Sequence, residues 1–475
     1  MNRLIALTCL LALAACGGKA DSPAPAEQRA ATPVHPQPAP GADLDAPIPL
    51  PDRSAVRRTA RAPTRVLDLG SDRSFVQVAV PKPPRGGSVG FDFGDERKGW
   101  VTRLPEGGQL PSVAYGDGRV YISGGFNAVS FYGLNAVTGT VEWATTNLED
   151  NGPTAAIYED DRVIFNTESC TLFALDAATG KRLWFKWLGD PTLAQTAVAD
   201  GLIYAAHPAT DGGHRLTAYK VRNGNVKWSR KISGDLLATP VIHDDAVYAS
   251  TLEGYTYKFD RKQGARKWRK KLRATTAPWP SGDELFLSRR NGKREQQVVV
   301  SAADGSVLRE HHDTTGKHLA DVPTNLNNWP QVWQFEGSRP VVSGGVRYVA
   351  MAGEVRATDA VSGETLWVRN YAGHEAERSV GSVALAGPQV VISTRQGQVM
   401  GLDIDTGYTL WAYDIGHDVY AEPVVANGWI YATTTQGYVV ALNVADETLD
   451  GWHMFGGNPK HDGPVVREPN KTAAL

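Results

Sequence analysis

The densest group of side chains capable of chemistry is His311-His312-Asp313 with His318. Imidazoles and carboxylates hold a metal when they converge. Adjacent histidines on a strand face opposite sides, and in a loop they are solvated, so no metal centre is expected there. A hard cation needs about six oxygen ligands around one point. The aspartates Asp176, Asp260, Asp359 and Asp403 each stand in a separate sequence unit and read as turn caps. No Gly-x-Ser-x-Gly, His-Glu-x-x-His or phosphate-loop pattern occurs. Of the three cysteines, Cys170 has no second thiol to resolve it once the amino-terminal ones are spoken for, and it reads as a buried free thiol. The expectation is therefore no catalytic residue, no cofactor-binding residue and no metal ligand. What remains is recognition.

The elements that would carry a recognition surface are written in a repeat. Between Asn135 and Asp446, a small residue, then Asp or Asn, then Gly, then Trp returns about every 40 to 45 residues, a spacing typical of repeat architectures. Six units pair Gly139 with Trp143, Gly180 with Trp184, Gly224 with Trp228, Gly264 with Trp268, Gly363 with Trp367 and Gly407 with Trp411. Two weaker units complete eight: Gly305, followed by Leu308 and Arg309, and the stretch from Ala441 to Trp452. Alternating segments such as Arg119-Val120-Tyr121-Ile122 and Tyr438-Val439-Val440-Ala441-Leu442, bounded by Asp-Gly, Asn-Gly and Gln-Gly turns, predict antiparallel hairpins. Four strands per unit suit a closed ring, and the fold expected is an all-β, eight-bladed β-propeller with four-stranded antiparallel blades. Trp100-Val101-Thr102-Arg103-Leu104, which precedes the first unit, is expected to close it by pairing with the last blade and removing the exposed edges.

From about Gly99 to Phe455 this pattern resembles the quinoprotein-type Trp-docking propellers. The resemblance implies that the Trp of one blade docks on the Ala and Gly of a neighbour's motif, here Ala174, Ala218 and Ala357 with their following glycines. Departures at Gly133, Lys258 and Lys220 imply less regular blades. Quinone dehydrogenases of that group carry a vicinal cysteine pair and a calcium site, and this sequence has no adjacent cysteines.

Residues 1–15 read as a lipoprotein signal peptide, with an apolar run too short to stay as a membrane anchor. Leu13-Ala14-Ala15-Cys16-Gly17 resembles a bacterial lipobox, making Cys16 the lipidated first residue of the mature chain, with Gly17 directing it to the outer membrane. Residues 16–63, rich in Ala and Pro, read as a tether. The domain reading continues with a β-like extension at 64–98, the propeller at 99–457 and a flexible tail at 458–475.

Two surfaces are candidates for partners. The longest departure from the repeat, between Arg309 and Ser338, carries Trp329, Trp333 and Phe335, aromatics of the kind that anchor interfaces, or that cover the deviant fifth blade. Although the net charge is only −2, a cationic run on the outer part of the fourth blade includes Arg266, Lys267, Arg269, Lys270 and Lys271. The lipobox, tether and eight Trp-docking blades together resemble the propeller lipoproteins of the outer-membrane β-barrel assembly machinery. The resemblance implies a non-catalytic scaffold, lipid-anchored through Cys16 at the outer membrane with its ring facing the periplasm. Its partner would be an envelope or outer-membrane protein, among them a β-barrel assembly subunit, with no cofactor and no nucleic acid. The alternatives are a pyrroloquinoline-quinone-dependent enzyme or cofactor sensor, and a module binding envelope polysaccharide in its central funnel.

Overall fold

The computed structural model describes residues 65–68, 76–94, 97–189, 194–291, 294–311, 339–351, 354–370, 383–419 and 421–465. Eight sheets follow one another around a ring. Each runs from a short inner strand to an outer one: Ala114–Gly116 to Val141–Thr145 in blade 1, Ile157–Glu159 to Arg182–Trp187 in blade 2, Ala197–Ala199 to Val226–Ile232 in blade 3 and Val241–His243 to Arg266–Lys271 in blade 4. Blade 5 runs from Trp279–Ser281 to Val307–His311, blade 6 from Val341–Ser343 to Thr365–Asn370 and blade 7 from Ala384–Ala386 to Thr409–Asp414. The hairpin turns match their sequences. Asp117 and Gly118 both take positive φ, 50° and 69°, the pair that a tight two-residue turn between twisted strands demands.

Blade 8 has only three strands of its own, Val424–Ala426, Trp429–Thr433 and Tyr438–Asn443. Its fourth is Lys98–Arg103, paired antiparallel from Tyr438 opposite Arg103 to Leu442 opposite Gly99. The ring is thus closed by the expected amino-terminal strand. Trp100 supplies the docking indole of blade 8, and Trp452, which the repeat placed at that position, lies fully buried beside the inner strand at Val425. The amino-terminal segment continues around the outside. Ser88–Asp92 pairs with Lys98–Arg103, Val76–Gln77 lies parallel on the outer strand of blade 7, and Arg65–Asp68 lies parallel on that of blade 6.

Blade-to-blade cohesion rests on one joint. The indole N–H of Trp100 donates to the Ala136 carbonyl at 2.9 Å, Trp143 to Ala177 at 2.9 Å, Trp184 to Val221 at 2.8 Å, Trp228 to Arg261 at 2.8 Å, Trp268 to Ala302 at 3.2 Å and Trp367 to Ile404 at 3.1 Å. In every case the acceptor belongs to the next blade, directly after its turn residue, and that blade's glycine receives the ring. A Cβ on Gly180, already at φ 70°, would lie 2.3 Å from Trp143. The glycines therefore act as expected, whereas the alanines sit elsewhere: Ala174, Ala218 and Ala357 stand opposite Trp184, Trp228 and Trp367 of their own blades.

The blades expected to be irregular keep the common register. The same one-residue shift follows Gly133, Ala174, Ala218 and Lys258 alike. The reason is local compensation. At Gly133 the indole of Trp143 fills the space a Cβ would need, and Lys258 reaches out to donate from Nζ to the Ala302 carbonyl at 2.7 Å, the acceptor that Trp268 also uses. Lys220, lacking a carboxylate, leaves its turn to main-chain bonds with Asn225 and Gly224. The remaining turn aspartates do cap. Asp176 accepts from Thr179 N at 2.9 Å, Asp260 from Gln263 N at 2.8 Å, Asp359 from Ser362 N at 2.7 Å and Asp403 from Thr406 N at 2.8 Å.

Residues 458–465, expected as the start of a flexible tail, are instead packed into the hub. Their own glycines and main-chain bonds let them pass inside the ring, where the inner strands leave N–H groups to satisfy. Tyr115 N donates to His453 O at 2.6 Å, Val198 N to Pro459 O at 2.8 Å and Ile242 N to Lys460 O at 2.9 Å. Trp452 stacks on Trp279 with ring centroids 6.2 Å apart, and Arg339 donates to the His461 carbonyl. The His461 ring nitrogens approach Phe455 O at 2.6 Å and Thr196 O at 2.9 Å. Burial, reinforced by the Arg339 charge, pushes its pKa down to about 4 against the pull of those carbonyls and of Asp462, so the ring is neutral and donates to one of them. His243 is held upward by its hydrogen bond to Asp462. Burial raises Glu159 to about 7, with Asp160 adding and Lys460 opposing.

Two outcomes follow from this packing. Trp143→Ala should cost about 3–5 kcal/mol in denaturant unfolding, whereas Trp187→Ala, at a side chain 68% exposed, should stay within about 0.5 kcal/mol. In the hub, His461 binds its proton only in the unfolded chain between about pH 4 and 6.5. Its contribution is therefore complete above pH 6.5 and fades as pH falls toward 4. Glu159 acts in the opposite sense below about pH 7, so the informative quantity is the difference between parent and His461→Gln. That difference, measured by denaturant titration at successive pH values, should grow with pH by up to about 1.4 kcal/mol per unit across the His461 window.

Candidate partner-binding surface

The hub cannot serve as an open site, because the chain itself fills it with Trp452, Trp279 and the fully buried His461. Among the described residues no group of three or more His, Cys, Asp or Glu could hold a metal ion. Cys170 is free and buried. One surface open to recognition is the outside of the ring.

That outside is uneven. The outer strands of blades 6 and 7 carry parallel covering strands, and the closing strand of blade 8 is covered by Ser88–Asp92. On the opposite side, among the described residues, blades 2, 3 and 4 end at their own outer strands. These read RLWFKW, VKWSRKI and RKWRKK, with no acidic residue in any of them. The expected cations are all on the blade 4 strand and exposed, arranged around the buried docking residue Trp268. Alternation divides them. Arg269 and Lys271 lie toward Tyr255, with the Arg269 guanidinium 3.8 Å and the Lys271 ammonium 5.4 Å from its ring centroid. Lys270 is on the other face, its stem packed toward Gly305 of blade 5.

The acids nearby neutralise little of this charge. Lys267 is 3.8 Å from Asp260 and Lys270 lies near Asp304, while Arg266, Arg269 and Lys271 make no ion pair within 4 Å among the described residues. In blade 3, Arg230 turns its guanidinium onto the blade 4 turn, donating to Gly264 O at 2.8 Å and Gln263 O at 2.9 Å. Lys227 and Lys231 of that strand remain exposed. A sector of like charge on exposed side chains raises the local concentration of an acidic partner and orients its approach, over a range set by a screening length of about 8 Å at physiological salt.

Cys16, Trp329, Trp333 and Phe335 lie outside the described residues. The structure brings forward a feature that the sequence reading passed over. In the blade 2 outer strand, Leu183, Phe185 and Trp187 are 45%, 51% and 68% exposed, while the alternate residues are half-buried. The signal was available: R-L-W-F-K-W has large apolar residues at both parities, and only Trp184 can dock into blade 3. Phe185 is the outer end of a ladder of stacked rings from Phe131 through Phe165 and Phe173, with centroid separations of 4.3, 5.3 and 5.9 Å.

Comparison with known proteins agrees with this architecture. The sequence profile of the family described as outer membrane protein assembly factor BamB matches residues 85–311 and 318–466. The assembly factor BamB of Yersinia pestis is 24% identical over 308 residues, which cover 62% of this chain and 74% of that protein. BamB of Escherichia coli strain K12 is 26% identical over 339 residues, 66% of this chain and 80% of the relative. The crystal structure of BamB from Moraxella catarrhalis superimposes with a TM-score of 0.54 at 18% identity, covering 75% of this chain and 98% of the other, a likeness of fold. With a closed eight-bladed ring and a profile match spanning most of its length, the chain belongs to the outer membrane protein assembly factor BamB family.

Proposed function

We propose that this protein is a non-catalytic scaffold lipoprotein that holds envelope proteins together at the outer membrane during β-barrel protein assembly. The observation that carries this reading is the pairing of a ring whose hub holds its own chain with an exposed cationic sector on its rim, rich in Lys and Arg and free of acids in its outer strands. Such a body offers no reaction chamber and a rigid surface for protein contacts. Membership of the BamB family supports the process, since the relatives are assembly factors of the outer membrane by name. Acylation of Cys16 would hold the ring on the periplasmic side of that membrane, and the tether at 16–63 would let it reach a partner while raising their mutual concentration. The loop bearing Trp329, Trp333 and Phe335 is a second contact in this reading.

The reading is tested in intact envelopes. A photo-crosslinking residue at Lys270 should capture a barrel-assembly subunit, identified by mass spectrometry. Charge reversal of Arg266, Lys267 and Lys271 should cut that recovery on the order of tenfold, and Trp329→Ala with Trp333→Ala should also lower it. Consistent capture of a different complex, or recovery indifferent to both sets of changes, would move the protein to another process. Cys16→Ala should abolish palmitate labelling and shift the chain to the soluble periplasmic fraction. Retention at the membrane would remove the anchor from the scheme.

A further inference from the structure

We propose that the outer edge of blade 2, Arg182–Trp187, is a docking edge for an extended polypeptide segment with alternating apolar and acidic residues, which adds to the blade as a parallel fifth strand. The inference deepens the scaffold reading by giving one of its contacts a chemistry, and it requires no particular envelope process.

Three observations converge on this edge. Arg182–Trp187 is the last strand of its sheet, so one side of its main chain is unpaired within the blade. Phe185 and Trp187 stand exposed on one face of that strand, with Leu183 exposed at the bulge beside Arg182, an apolar edge that folded proteins ordinarily cover. The ring also shows how its edges are covered elsewhere. Arg65–Asp68 lies parallel on the blade 6 outer strand with Val66 opposite Val368, and Val76–Gln77 lies parallel on that of blade 7 with Val76 opposite Tyr413. The blade 6 outer strand thus carries a parallel fifth strand and keeps its Trp joint, since Trp367 donates to Ile404.

Charge selects the occupant. Lys186 occupies the alternate position between Phe185 and Trp187, its ammonium 5.8 Å from the Tyr219 ring, and the neighbouring outer strand in blade 3 adds Lys227 and Lys231. Arg182 lies over the row itself, its guanidinium 4.7 Å from the Phe185 ring and 3.8 Å from Glu149. A segment laid along Arg182–Trp187 would set every second side chain beside the apolar row and the others beside Lys186 and the blade 3 lysines. Apolar residues fit the first set and carboxylates the second. The blade 4 strand has the charge without an apolar row, and the blade 7 strand has apolar residues with its edge already covered. Blade 2 combines the open edge, the row and the charge.

The test uses the full mature chain and an acetylated heptapeptide alternating valine with glutamate, with amide hydrogen exchange as the readout. Slowed exchange confined to 182–187 is expected. Phe185→Asp with Trp187→Asp should remove that protection and weaken peptide binding about tenfold or more; Trp187→Asp alone, at the more exposed side chain, should weaken binding in the same direction with the thermal midpoint of the ring unchanged. Lys186→Glu should weaken binding and flatten its salt dependence. Protection elsewhere on the ring, no protection at saturating peptide, or equal affinity for a valine–lysine peptide would overturn the proposal. It would also fail if phosphatidylglycerol vesicles, and not the peptide, bound through these residues, or if the double variant instead abolished dimerisation of the chain. Envelope crosslinking reads the assembly role independently, so the two can fail separately.

Discussion

The structure depends on one joint: an indole N–H seated on the carbonyl that follows a neighbour's turn, above a glycine with no Cβ to obstruct it. The joint accepts substitutes as long as a donor reaches the right place. In blade 5, where the repeat lacks its Trp, Arg309 approaches the Ala360 carbonyl at 3.5 Å while Glu284 grips its guanidinium at 2.7 and 2.5 Å. In blade 7, Trp411 donates to Gln389 at 2.7 Å, and Gln389 passes the contact on to Asp446 of blade 8 at 2.6 Å. A buried donor without an acceptor costs on the order of 1–3 kcal/mol, which is why blades 5 and 7 each supply a substitute partner where the joint departs from the motif.

A ring of repeats could end in two open edges, and this one is closed twice. The Lys98–Arg103 strand completes blade 8 from the opposite terminus, and the segment through His461 ties the inner strands together across the hub. Closing the interior in this way leaves the perimeter to do the work. The perimeter is polarised: covered by the amino-terminal strands on blades 6 to 8, and open and cationic on blades 2 to 4. A rigid disc with one dressed and one bare side suits a component that orients partners.

Much of this was legible before folding was considered. Hydrophobic alternation, Asp-Gly turns and the Gly-to-Trp spacing are local signals, and they determined the strand content, the eight units and the amino-terminal closure. The cationic strand of blade 4 was equally plain, since consecutive charges in an outer strand have nowhere to be buried. The placement of Trp452 was not legible. Its spacing imitates the motif, yet Trp100 already occupies the outer position of blade 8, so Trp452 is left for the hub.

The sequence by itself therefore determined the modules and their count, because each module is specified by contacts a few residues apart. Tertiary structure alone decided what each module faces. It turned Ala174 toward its own blade's Trp184 and drew the residues around His461 inside. It also left Phe185 and Trp187 in solvent although their types suit a core. The physical reason is that burial and pairing here are set by residues as far apart as Thr196 and His461, and no local pattern records which distant strand will supply the other half of a contact.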